Sequence, residues 1–166
     1  MSIATRFEGL SAAILLLLLA GAAAAQAPAG PLEIRAVAEV ESKTIISGKQ
    51  AVKLIPADRV VPGDRVLYTL EVRNAGTTAL DSPIVIQPVP EHMRYVADTA
   101  VGPGAEVTYS VDGGRVFDRP ENLTVPGSDG NPRLASAADY THIRWQLKNT
   151  LKVNSTAFVR FRALVK

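Results

Sequence analysis

Residues 60–74 constrain this chain most, because Val60-Val61-Pro62-Gly63-Asp64 runs straight into Arg65-Val66-Leu67-Tyr68-Thr69-Leu70-Glu71-Val72-Arg73-Asn74. Proline presets φ for the first central residue of a turn, and glycine accepts positive φ at the second. Past the turn, Val66, Tyr68, Leu70 and Val72 alternate with Arg65, Thr69, Glu71 and Arg73, and Leu67 is the one apolar member of the second set. A period of two over that length predicts a strand with one face buried and one face in water. No segment after residue 25 carries a 3.6-residue apolar period long enough for a helix.

The same reading extends along the chain. Residues 32–40 alternate as a first strand, and Thr44-Ile45-Ile46 and Ala51-Val52-Lys53-Leu54-Ile55 flank Ser47-Gly48-Lys49 as a hairpin or an irregular strand. Pro83-Ile84-Val85-Ile86-Gln87 is a short strand stopped by Pro88 and Pro90, which have no N–H for a ladder. Met93-Arg94-Tyr95-Val96 pairs briefly. Glu106-Val107-Thr108-Tyr109-Ser110-Val111 alternates again, and Asp112-Gly113-Gly114 signals a hairpin into Arg115-Val116-Phe117. Residues 118–139, rich in Pro, Gly, Asn and Asp, read as a long loop, functional or mobile. Two strands close the chain. One turns Ile143, Trp145 and Leu147 inward; the other turns in Ala157, Val159, Phe161, Ala163 and Val165 and leaves Phe158 on the opposite face. Short strands separated by turn signals predict an all-β antiparallel sandwich of about seven to nine strands over residues 32–166. Tyr68, Tyr109, Trp145 and Phe161 are its expected core aromatics.

The N-terminus reads as a three-part signal peptide over residues 1–25. Arg6 supplies a short basic region, residues 10–25 are uncharged, and Ala23-Ala24-Ala25 offers a small-residue cleavage site. Cleavage is expected between Ala25 and Gln26, because the next candidate site places Pro28 just past the cut. Residues 26–31 form an Ala/Pro-rich spacer. The chain has no cysteine, which excludes disulfides, thiol nucleophiles, thiolate metal sites and lipid attachment at a cysteine. An exported chain of this kind must be held by its core alone. Its net charge of +2 survives loss of the leader, since Arg6 and Glu8 leave together. So small an excess gives no support to nucleic-acid binding.

Pro62-Gly63-Asp64, the Tyr68-Thr69-Leu70 strand, Asn74-Ala75-Gly76, and Pro88-Val89-Pro90 before Tyr95-Val96 together resemble the bacterial conserved-repeat domain, also called domain of unknown function eleven. Ala138-Asp139-Tyr140-Thr141-His142-Ile143-Arg144-Trp145 is similar to its longer, single-copy envelope version, and the likeness covers residues 57–166. The resemblance implies an immunoglobulin-like sandwich of the bacterial envelope, periplasmic or at the surface, and brings no catalytic residues. Only one copy is present here, which departs from the family's tandem stalks and favours a small free protein.

Chemistry-bearing residues are sparse. His92 and His142 are the two histidines, too few to form a zinc site without cysteine. Ser128, His142 and Asp139 make a nucleophile-base-acid set on paper, but the loop around Ser128 lacks the G-x-S-x-G elbow. Asp112, Asp118, Asp129 and Asp139 border turns, where carboxylates can hold structural calcium or simply cap the turn. No cofactor is otherwise implied. Arg160, Arg162 and Lys166 line one face of the last strand, and Arg144 and Lys148 extend them into a candidate anionic-partner surface, against the commoner reading of protective edge charge. The expected function is a non-catalytic structural or protein-binding envelope module with an envelope protein partner, acting through the 118–139 loop or an open strand edge. A periplasmic chaperone or assembly factor is the alternative, and a cell-wall or polysaccharide hydrolase, which needs two carboxyls across a cleft, a more distant one.

Overall fold

The computed structural model describes residues 30–166, so the leader, the Ala25–Gln26 cleavage point and residues 26–29 of the spacer lie outside the described residues. Among the described residues there are ten strands: β1 (Leu32–Ile46), β2 (Lys49–Pro56), β3 (Arg65–Asn74), β4 (Ile84–Pro88), β5 (Met93–Tyr95), β6 (Ala105–Ser110), β7 (Thr124–Pro126), β8 (Pro132–Leu134), β9 (His142–Leu147) and β10 (Thr156–Val165). All pair antiparallel. They form a five-stranded sheet in the order β2-β1-β3-β10-β5, a three-stranded sheet in the order β4-β9-β6, and the small β7-β8 hairpin. The first two sheets pack face to face around one core. No described helix is long and apolar enough to cross a membrane.

The alternation in β3 sets this architecture. Val66, Leu70 and Val72 are fully buried, and Tyr68 lies between Ala38 of β1 and Phe161 of β10. The Tyr68 and Phe161 rings stack with centroids 4.8 Å apart. Phe161 meets Trp145 of the opposite sheet at 6.1 Å, which ties the two layers together. Burying each such side chain contributes about 1.5–3 kcal/mol. Tyr95, Tyr109 and Tyr140 form a second aromatic group with centroids 4.4–5.9 Å apart. The Tyr95 hydroxyl accepts the N–H groups of Thr99 and Ala100, so its own proton goes to Tyr109 Oη at 3.0 Å. Periodicity singled out Tyr109 but neither Tyr95 nor Tyr140, because their segments are too short to show a pattern.

The outward face of β3 is drier than its polar residues predict. Leu67 and Thr69 are both buried there. With β1 on one side and β10 on the other, Arg162 reaches across to Glu41, Nε to Oε1 at 2.6 Å, and the pair roofs β3 beside Leu67. Arg65 adds a longer contact to the same carboxylate.

Asn74-Ala75-Gly76 is a structural knot. Asn74 is fully buried; its Nδ2 donates to the carbonyls of Thr78 and Leu151 at 2.8 and 2.9 Å, and its Oδ1 accepts the Gly76 N–H at 3.0 Å. Gly76 is required because a Cβ there would stand 2.8 Å from Pro31 Cβ.

Three expectations are corrected. Arg115-Val116-Phe117 is not a strand: Asp112 Oδ1 accepts the N–H groups of Arg115 and Val116, and this local turn outcompetes a ladder. Residues 118–139 are not one long loop, since they hold two 3-10 turns around the β7-β8 hairpin and bury Leu123. Those two short strands carry the total past the seven to nine expected.

Candidate functional site

The feature without a structural explanation of its own is the β1-β2 hairpin. Ser47 and Gly48, at φ 51° and 75°, make its two-residue turn. β1 pairs with β3 only through Val40, so its remaining residues and their β2 partners run past the sheet as a two-stranded ribbon. Six residues at the strand rise carry that ribbon about 20 Å. Its side chains leave much apolar surface in water: Ile45 is 73% exposed, Ile46 60%, Val52 61% and Leu54 41%. An isolated two-stranded hairpin is marginal in water, so such a ribbon gains most from a further strand.

The hydrogen-bond phase shows where that strand would attach. Ala57 N–H donates to Ala38 O at 3.1 Å, continuing the register in which Glu39 faces Pro56. Antiparallel pairs alternate between bonded and non-bonded, so Lys49, Ala51, Lys53 and Ile55 address β1. Gln50, Val52 and Leu54 therefore aim their N–H and C=O groups away from the sheet. Among the described residues β2 has no neighbour on that side. The other sheet ends are better defended. β4 is short and bounded by Pro83 and Pro88, and β6 is bridged by Asp118 to Tyr109.

A second, shallower feature lies beside Phe158, which is 43% exposed on the outer face of β10. Pro103, Leu147, Leu151, Ala157 and Phe158 line a cleft of about 260 Å³ there. It contains no ionisable group and no nucleophile beyond threonine hydroxyls.

The cationic candidates do not form one surface. Arg160 and Arg162 lie on the outer face of the five-stranded sheet, whereas Arg144 and Lys148 lie on the outer face of the three-stranded one, across the sandwich. Arg144 donates to Thr108 Oγ1 at 2.9 Å and stacks over Phe117 at 4.9 Å. Lys148 pairs with Glu106 at 2.6 Å, and Lys148 with Arg119 holds that exposed carboxyl below its usual range. Arg162 is taken by Glu41. Arg160 has no ion pair among the described residues, and its backbone is bridged to Val101. Alternation along each strand was legible; which sheet each strand joins was not.

The paper triad is also dispersed. Asp139 accepts two Arg133 nitrogens at 2.8 Å and the Ser136 N–H at 2.7 Å, His142 Nδ1 lies 3.2 Å from Thr141 Oγ1, and Ser128 sits exposed in the β7-β8 turn. His92 is exposed and contributes a backbone carbonyl to Lys166 N–H. Asp112 binds Ser110 Oγ, Asp118 binds Asn122 and Asp129 binds Asn131, each within its own turn. Among the described residues no group of three or more His, Cys, Asp or Glu is placed to hold a metal ion.

One of these carboxylates makes a pH prediction. The Arg133 fork, aided by Ser136, holds Asp139 far below the ordinary carboxylate range. A folded pKa depressed in this way adds stability above the unfolded value of about 3.9 and loses it as pH falls further. Asp139→Asn is expected to cost about 1–2 kcal/mol at neutral pH, allowing for solvent screening, and to flatten the acid side of the stability curve. Urea titrations between pH 7 and pH 2 measure this; an unchanged acid limb would remove Asp139 from the account.

Comparison with protein-family models, with curated proteins and with solved structures finds no match to this chain. The resemblance to the conserved-repeat domain is carried by the quoted motifs alone.

Proposed function

We propose that this chain is a non-catalytic, exported module of the bacterial envelope, an immunoglobulin-like sandwich of conserved-repeat type, that binds protein by strand addition at the β2 edge. The observation that carries the reading is the open β2 edge on a ribbon rich in exposed apolar side chains. Strand addition takes its affinity from main-chain hydrogen bonds and its specificity from alternate side chains, and β2 offers both. Export and cleavage after Ala25 rest on the leader pattern in residues 1–25. The small all-β domain supports a binding role further in that Asp112, Asp118 and Asp139 are engaged in their own turns, and Glu41 and Glu106 in ion pairs with Arg162 and Lys148.

Val52→Pro tests the edge with little effect on the fold. Val52 N–H points away from β1, so proline there removes a donor that no described residue uses. In vivo crosslinking and affinity recovery of the tagged full-length chain from its own host, read by mass spectrometry, should yield reproducible envelope partners. The Val52→Pro variant is expected to lose most of that recovery while its Tm moves by only a few degrees. Identical partner sets from both chains would sink the edge as the binding site.

A further inference from the structure

The register of β2 also points to what pairs with it. We propose that β2 of one chain adds antiparallel to β2 of a second copy, about a two-fold axis at Val52, joining two five-stranded sheets into one. This inference rests on the strand-addition reading and names its partner.

Only Gln50, Val52 and Leu54 present both N–H and C=O outward, which limits the registers. With Val52 opposite Val52 of the copy, Gln50 and Leu54 bond each other across the axis, giving about six backbone hydrogen bonds. On the outer face Val52 then meets its own copy, and Leu54 lies beside Gln50, whose neighbour on β1 is Ile45. On the other face Lys53 meets Ala51, and Lys49 meets Ile55. No lysine faces a lysine. A slip of two residues one way sets Lys53 against Lys53, and a slip the other way sets Lys49 against Lys53. Like charges directly opposite one another destabilise a pair, so both neighbouring registers are penalised. Pro56 lacks an N–H and ends the pairing beyond Leu54. The same surface patch serves both chains, as a two-fold interface requires.

The absence of cysteine makes the test clean. Residues directly opposite in a bonded antiparallel pair stand about 5.5 Å apart at Cα, inside the range that a disulfide spans. The full-length chain carrying Val52→Cys, purified as its host processes it and oxidised at micromolar concentration, should form a covalent dimer. Its yield should exceed that of Gln50→Cys or Lys53→Cys by roughly tenfold, because neither of those faces itself in this register. Sedimentation velocity on the unmodified chain should show a concentration-dependent dimer that Val52→Pro abolishes. Equal crosslinking from all three positions, or a monomer at every concentration with no Val52→Cys preference, would overturn the proposal. Continued loss of envelope partners in Val52→Pro would then show that a different protein occupies the edge, leaving the strand-addition reading intact.

Discussion

Phe161→Ala is expected to destabilise the domain by about 3–5 kcal/mol, the range for emptying an aromatic site in a packed core. Phe161 is fully buried, stacks on Tyr68 within its own sheet and meets Trp145 of the other. Its removal strips contacts from both layers at their meeting point. The cavity cannot collapse easily, because β10, which carries Phe161, is held in continuous register against β3. A domain stability of 5–15 kcal/mol makes this a large share, and Tm should fall by roughly 10–20 °C. Phe158→Ala is the internal control, since Phe158 lies on the outer face of the same strand. It should cost less than about 1 kcal/mol. Equal losses in chemical denaturation would mean that the two faces of β10 are wrongly assigned.

Asn74→Ala should be nearly as severe, at about 3 kcal/mol, although it creates only a small void. Asn74 joins the end of β3 to the turn at Thr78 and to the Leu151 segment through three side-chain hydrogen bonds, while its main chain bonds Ser155 and Asn154. Alanine leaves the Gly76 N–H and the Thr78 carbonyl without their side-chain partner and takes one of two donors from the Leu151 carbonyl, which keeps the Leu80 N–H; an unpaired polar group costs about 1–3 kcal/mol where it is buried. Asn74→Asp keeps the shape and the acceptor for Gly76 but turns a carboxylate towards two carbonyl oxygens. At neutral pH it should be at least as damaging as alanine. The repulsion raises the folded pKa of that carboxyl, so its stability should recover as pH falls towards the ordinary carboxylate range. A urea midpoint for Asn74→Asp that ignores pH between 7 and 4 would show that the amide donors are not what matters.

Much of the fold was legible because period-two alternation is strong wherever a strand is long and one of its faces is dry. β3, β9 and β10 satisfy that condition, and their inward residues are those the pattern selects. Where polar side chains bond their own backbone, the pattern misleads. Asp112 turns an apparent hairpin into a local loop, and Asp139, through the Ser136 N–H and the Arg133 side chain, orders a segment that composition reads as a long loop. The extension of the cationic row to Arg144 and Lys148 failed for another reason. Alternation tells which face of a strand a residue occupies but not which sheet the strand joins, and Arg144 and Arg160 belong to different sheets.

The β1-β2 ribbon shows the same division. Ser47-Gly48-Lys49 between two apolar runs signalled a hairpin or an irregular strand, yet nothing local tells on which side of β1 a return strand lies. Had it paired in the place of β3, β2 would be interior; instead it forms the edge, with Gln50, Val52 and Leu54 turned outward. By itself the chain's sequence determined the strand faces, the tight turns, the cysteine-free core and the leader pattern, because each depends on neighbours a few residues away. Strand order, the overhanging ribbon, the dispersal of the charged candidates and the Asn74 junction were decided only by the tertiary structure. Each depends on which distant backbone completes a ladder or satisfies a buried polar group, and local periodicity carries no record of that choice.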